Sequence, residues 1–370
     1  MYIPMMKTRQ EELRVSKELN YCFSDDIIPL FEILNEIYEK KYEIDEDGNH
    51  IMETIPGKNR RKSILKEKTS NDIITLDKIN YIVNKSKVFI DYFRFDVNKY
   101  DRQLDINSMT LAYKLNNNKD EYIKKLKDTS SYENMIPVLS LKKTFIFSNE
   151  RTIEIIKELQ SLKISIAFRI EDELYSRYKD IIEKNLRATD YLLYDINEQN
   201  FYSKIIELDE LKECKTRAKK ILLNSPRRLK CANKEYEDCC LTDLIDNAVA
   251  KKYIEYDLDG FGDYGGLKDQ LPVNNGGSNG TGAALALLYS YKDKSFYSFC
   301  NSDTSLGLRG YQDVINNVLS YENVLNPNNN CVAYIKVKTM VTQNRSGSWS
   351  TWNNIALTRY IHQIYLETGK

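Results

Sequence analysis

Short apolar runs rich in Ile, Val, Tyr and Phe recur along the chain. They are YIPMMK (2–7), IIPLFEI (27–33), VFIDYF (88–93), MIPVLSL (135–141), ISIAFRI (164–170), YLLYDI (191–196), KILLNS (220–225) and YIEYDLDGFGDY (253–264). Between them lie stretches with apolar residues at three- and four-residue spacing and charges between, such as TRQEELRVSKELN, NERTIEIIKELQSL and NKEYEDCCLTDLIDNAVAKK. The first pattern predicts buried strands and the second amphipathic helices. Strand then helix, repeated, predicts parallel strands joined by crossovers. Eight such units fit an α/β fold of the (β/α)8, TIM-barrel-like kind. An open doubly wound sheet is the alternative; a GxGxxG after the first strand would favour it, and none is present.

The barrel-like domain is expected over 1–270, with an arm inserted at about 40–70. There YEIDEDGNHIMETI has strand-like halves around Asp47-Gly48, a turn pair. The arm leaves the C-terminal end of a strand, so it would overhang the mouth as a lid or a docking element. After the eighth run, LPVNNGGSNGTGAALALL carries Gly276, Gly277, Gly280 and Gly282 but no GK[ST], so a flexible loop fits better than a phosphate-binding one. Residues 285–370 are expected to form an α+β extension packed on the barrel. It would hold a hairpin around 292–294 and helices at GYQDVINNVLSY, CVAYIKVKTMV (a strand being the alternative) and NNIALTRYIHQIYLE.

Charge sharpens this picture at the strand ends. The final residues are Lys7, Glu32, Asp91, Arg169, Asp195, Asn224 and Asp263, with Ser140 at the fourth strand. In a closed parallel barrel all C-terminal ends share one face, so these groups are expected to surround one mouth. Lys7, Glu32, Asp91, Arg169, Asp195 and Asp263 are the candidate catalytic residues and Asn224 the candidate cofactor contact. A rim of structural ion pairs is the competing reading. Four carboxylates with an Asn suit Mg²⁺ or Mn²⁺, and cations beside a metal suit a phosphate or phosphodiester. Two carboxylates could instead cleave a glycoside, and a desolvated Lys7 could form a Schiff base. The glycines of FGDYGG allow close backbone approach to a ligand, or simply a tight turn.

Composition removes other classes. The chain has 54 Lys plus Arg against 54 Asp plus Glu, which argues against a generally basic nucleic-acid coat. The basic stretches KNRRKSILKEK (58–68), KTRAKK and SPRRLK keep a local nucleic-acid surface open, with solvated faces the plainer reading. Two histidines, His50 and His362, argue against zinc. Seven scattered cysteines without CxxC spacing, Cys239 and Cys240 within an expected helix, suit buried thiols in a reducing compartment. The start lacks a signal-peptide core and no apolar run is long enough to span a bilayer, so a cytoplasmic protein is expected.

The opening YIPMMKTRQEEL, then IIPLFEI, the FID strand, FGDYGG and the closing WNNIALTRYIHQ together resemble the bacterial and phage "beta protein" family over most of the chain. The matching positions are Tyr2, Pro4, Lys7, Glu11, Pro29, Glu32, Asp91, Phe261, Gly262, Asp263, Tyr264 and His362. The resemblance implies a barrel-like fold and a phage-defence or mobile-element setting, and no established reaction. Two functions follow as expectations. One is an enzyme or ligand sensor working at the barrel mouth, on a phosphate-containing or nucleotide ligand. The other is an interaction protein, an anti-phage component or a phage-encoded inhibitor, that docks a protein partner through the 40–70 arm and the C-terminal region.

Overall fold

The computed structural model describes residues 1–56, 59–100, 103–274 and 282–368. Its strands, in chain order, are β1 (Tyr2–Lys7), β2 (Leu30–Ile33), β3 (Met52–Thr54), β4 (Arg61–Ser63), β5 (Val88–Tyr92), β6 (Met135–Leu141), β7 (Ala167–Glu171), β8 (Tyr191–Asp195), β9 (Lys219–Leu223), β10 (Cys240–Thr242), β11 (Gly260–Asp263), β12 (Ala284–Ser290) and β13 (Ser295–Asn301). The α-helices are α1 (Gln10–Glu18), α2 (Thr75–Ile82), α3 (Thr110–Asn117), α4 (Lys119–Asp128), α5 (Asn149–Leu162), α6 (Tyr175–Asn185), α7 (Ile205–Lys212), α8 (Ala248–Lys252), α9 (Tyr311–Ser320), α10 (Glu322–Leu325), α11 (Val332–Thr342) and α12 (Trp349–Thr368).

Eight strands close into a parallel barrel in the order β1-β11-β9-β8-β7-β6-β5-β2. Each of the eight expected runs supplies one of them. Burial on both faces explains why they are continuous apolar runs rather than alternating ones. At the seam, a Cβ on Gly262 would lie 2.6 Å from Leu223 Cδ2 and 2.8 Å from the Ile3 carbonyl, so only glycine lets β11 sit between β1 and β9.

Three expectations fail locally. Of the run 253–264 only Gly260–Asp263 is strand, and Tyr253–Tyr256 is a helical turn. The helical periodicity over 233–252 produces α-helix only at Ala248–Lys252, with a 3-10 turn at Asn233–Glu235. Cys239 takes a positive φ of 56°, which breaks the helix, and Cys240–Thr242 adds as a strand to the β12–β13 hairpin. Tertiary pairing outweighs local periodicity there, and Cys239 and Cys240 are half-buried rather than buried.

The C-terminal residues have a core of their own, with Leu288, Phe299, Val314, Ile315, Trp352 and Ile355. The opposite side of α12 belongs to the barrel's core through Leu357, Tyr360 and Ile361. Asn354 Nδ2 donates to Glu11 Oε2 at 2.8 Å, and Lys336 pairs with Glu18 on α1. The segment CVAYIKVKTMV is helix, as α11. In the arm, β3 pairs with β4 and Ile44 bridges His50 around the Asp47-Gly48 turn. Ile44, Met52 and Leu65 are 55%, 47% and 53% exposed there. Gly276, Gly277 and Gly280 lie outside the described residues. Among the described residues no helix is long and apolar enough to cross a membrane.

Candidate functional site at the barrel mouth

Lys7, Glu32 and Asp91 stand at the same level on the adjacent strands β1, β2 and β5. All three are fully buried. Glu32 and Asp91 are like charges side by side, which a sheet tolerates only with a cation between them. Arg169 reaches in from β7 to supply it: Nη1 donates to Glu32 Oε1 at 2.7 Å and to Asp91 Oδ2 at 2.8 Å. Its Nε and Nη2 both donate to Asp195 Oδ2, at 2.9 and 2.7 Å. Lys7 Nζ lies 2.5 Å from Glu32 Oε2 and 2.6 Å from Oδ1 of Asp269. The other oxygen of Asp269 accepts from Lys99 Nζ at 2.9 Å and from the Tyr100 hydroxyl at 3.0 Å. The Tyr264 hydroxyl completes the shell of Glu32 at 2.9 Å. Five of the six candidate catalytic residues thus share one hydrogen-bonded floor across the barrel.

The electrostatics follow from these contacts. Burial pushes the Glu32 carboxyl up, but Lys7 and Arg169 outweigh it and hold its pKa down at about 2. Burial likewise opposes ionisation of Asp269, yet Lys7 and Lys99 keep it well below the carboxylate range. For Asp91 burial wins over Arg169 and the pKa rises; its Oδ1 has no hydrogen-bond partner. Lys7 is clamped between two carboxylates and is no Schiff-base nucleophile. The metal reading gains no support from the floor. Every carboxylate of the floor faces a lysine or arginine, and no group of His, Cys, Asp or Glu among the described residues is arranged to hold a metal ion. The same pairing ties up the carboxylates that glycoside cleavage would use, Asp91 Oδ1 excepted.

Asp263 does not join the floor. Side chains alternate along a strand, and on β11 the even-numbered positions face inward. Gly262 fills the inward position on β11, and Tyr264 turns inward to Glu32. Asp263 faces outward to α12. Its carboxylate accepts from the Tyr360 hydroxyl at 2.8 Å, the Gly265 amide at 2.8 Å and the Tyr2 hydroxyl at 3.2 Å. It has no cationic partner there, and burial lifts its pKa to about 6 against those three donors. Asn224 follows β9 at the level of Asp263, on the same outer side by alternation. Its side-chain oxygen has no hydrogen-bond partner. The cofactor role expected of it therefore has no support at the mouth.

Above the floor, the segments leaving β5, β6, β7 and β8 enclose a cavity of about 250 Å³. Its walls include Phe95, Lys99, Lys142, Lys143, Glu171 and Asn197. Lys99 pairs with Asp269 and Lys143 with Glu173. Among the described residues no carboxylate lies within ion-pair distance of Lys142, though Asp91, Glu32 and Glu171 are near enough to favour its charge. Its Nζ donates to the Arg94 carbonyl at 2.7 Å and lies 3.9 Å from the centre of the Phe93 ring. Burial and then Arg169 bring its pKa down to about 8. A larger cavity of about 520 Å³ lies between α1, the loop after β11 and α12, beside Arg9, Gln270, Trp349 and Asn353. Its arginine is already held by Glu12 at 2.8 and 3.1 Å, so the smaller cavity holds the more available charge.

Lys142, Tyr264, Asp269, Lys99 and Tyr100 are the mouth residues that strand-end reasoning missed. Alternation would have found the first two: Lys142 has the parity of Ser140, and Tyr264 that of Gly262. Asp269, Lys99 and Tyr100 sit on loops with no periodic signal.

No protein-family model and no curated protein matches the sequence. Among solved structures the chain is similar to dihydropteroate synthase from Anaplasma phagocytophilum with bound 6-hydroxymethylpterin-monophosphate. The match has 9% identity and a TM-score of 0.27, over 71% of this chain and 92% of that one. At that TM-score the likeness carries no argument, and nothing of that enzyme's ligand or chemistry carries over. What the geometry itself establishes is an α/β TIM barrel with a salt-bridged floor beneath a small cavity at the C-terminal ends of its strands.

Proposed function

We propose that the chain is a barrel-mouth enzyme or ligand sensor for a compact anionic molecule, of the phosphate-containing class, seated in the cavity over the floor. One observation carries this reading: of the three lysines lining that cavity, Lys142 alone is in no ion pair among the described residues. A half-buried ammonium with no carboxylate in ion-pair contact favours an incoming anion. The cavity's place at the C-terminal face is where barrel sites are built. A volume of about 250 Å³ suits a ligand smaller than a whole nucleotide. The phage-defence or mobile-element setting belongs to the proposal through the sequence resemblance alone. A cytoplasmic location rests on the sequence and on seven cysteines that are all free.

Isothermal titration with inorganic phosphate, pyrophosphate and nucleoside monophosphates tests it. Binding in the wild type that is lost in Lys142→Met and kept in Asp263→Asn supports the reading. Silence across the panel overturns it. The exposed Ile44, Met52 and Leu65 of the arm favour a second reading, a protein partner docked there. Loss of partner capture on deleting the arm, with phosphate binding absent, would put that reading first.

A further inference from the structure

The same cavity holds a second group that the ion pairs leave over. Glu171, at the end of β7, has no lysine or arginine within ion-pair distance among the described residues. Its Oε2 accepts from the backbone amide of Lys143 at 2.7 Å, and Oε1 receives Asn197 Nδ2 at 3.4 Å. The carboxylate is thus anchored to the residue next to Lys142. Lys142 in turn has one N–H committed to the Arg94 carbonyl, and its Nζ lies against the Phe93 face, 3.9 Å from the ring centre. An amine and a carboxylate, each fixed by a backbone contact and neither in an ion pair among the described residues, line one small cavity at the mouth.

We propose that Lys142 is a nucleophile that forms an iminium with a small carbonyl compound bearing an anionic group, a 2-oxo acid or a phosphorylated aldehyde, with Glu171 moving the protons. This rests on the anion site proposed above and names its substrate class. The amine lone pair forms a C–N bond to the carbonyl carbon while the carbonyl oxygen takes a proton from solvent, giving a carbinolamine protonated on nitrogen. Glu171, once protonated by the amine's departing proton, returns it to the hydroxyl, which leaves as water. Neutral amine, carbonyl and the one proton taken from solvent become iminium and one water, with no change of oxidation state. A lysine ionising near 8 offers a sizeable neutral fraction at physiological pH, which an exposed lysine does not.

The test uses pyridoxal 5′-phosphate and, separately, glyoxylate as probes on the full chain, with cyanoborohydride to reduce any imine by hydride and peptide mass spectrometry to locate it. The expected result is labelling concentrated on Lys142, abolished in Lys142→Arg. In Glu171→Gln it should slow about 10-fold or more, with its pH profile displaced, as loss of a proton-transfer group requires. Label spread over surface lysines in proportion to exposure, with Lys142 no faster, overturns the proposal. Inorganic phosphate separates the two claims. If phosphate binds and no adduct forms on Lys142, the amine chemistry is wrong and the anion site stands. If glyoxylate labels Lys142 and phosphate neither binds nor protects, the amine chemistry stands and the phosphate reading falls.

Discussion

Glu32 and Asp263 are both buried carboxylates on the barrel wall, and they differ in what surrounds them. Glu32 lies inside, against Lys7 and Arg169, with its pKa held at about 2. Asp263 lies outside, under α12, against two tyrosine hydroxyls and an amide, with its pKa lifted to about 6. Lysines divide the same way: Lys7 is locked by two carboxylates, and Lys142 meets an aromatic ring and a carbonyl and falls to about 8. Paired charges in this protein are architecture. Asp263 and Lys142, which have no ion-pair partner among the described residues, titrate nearer neutrality, so they are the ones available for proton transfer, nucleophilic attack or response to pH.

The largest effect should come from breaking the paired region. Arg169→Met leaves Glu32, Asp91 and Asp195 without their shared cation, and should cost about 3–5 kcal/mol or prevent folding, as removal of one member of a buried ion network does. Urea unfolding measures it; a loss below about 1 kcal/mol, the range of exposed pairs, would mean the floor is far wetter than its burial implies.

Asp263→Asn should act in the opposite direction. A carboxyl raised from 3.8 to about 6 makes a contribution that is whole below pH 3.8 and is lost as the pH rises through about 6. Its ionisation therefore costs up to about 3 kcal/mol at neutral pH. The asparagine variant should recover much of that at pH 7.5 and should lose the fall in stability between about pH 4.5 and about pH 6.5. Glu32 has the reverse sign: its contribution is present above pH 4.5 and lost only as the pH drops through about 2, so it leaves that window untouched. Unfolding curves at several pH values would separate the two.

Two smaller effects sharpen the contrast. Tyr360→Phe removes one of three donors to Asp263 and should cost about 1 kcal/mol, while pushing that carboxyl's pKa higher. Asp91→Asn keeps an acceptor for Arg169 and relieves repulsion with Glu32, so its stability should stay within about 1 kcal/mol of wild type. A loss of several kcal/mol in the second case would show that Asp91 works as a full member of the ion network.

How much of this the sequence could show is clearest at the same residues. Apolar runs located all eight barrel strands because a strand buried on both faces has no other way to be built. The strand-end rule then brought Lys7, Glu32, Asp91, Arg169 and Asp195 to one place. It failed at Asp263 because a strand end is not a direction: a shift of one residue moves a side chain from the interior to the outer face. The rule also stopped at Ser140, two residues short of Lys142. Asp269 sits on a loop whose path depends on positive φ at Gly265 and Gly266, and periodicity does not report such paths. The helix expected around Cys239 gave way because an edge of the C-terminal hairpin was there to pair with, a contact made across the fold.

Trace acetylation of every lysine, followed by peptide mass spectrometry across pH, tests the division between paired and unpaired charge most directly. Lys142 should react with an apparent pKa near 8, well before the exposed lysines, while Lys7 stays protected until the chain unfolds. If Lys142 titrates with the surface lysines near the ordinary value of about 10.4, or Lys7 reacts alongside it in the folded protein, the distinction between a structural floor and a reactive lysine above it is wrong.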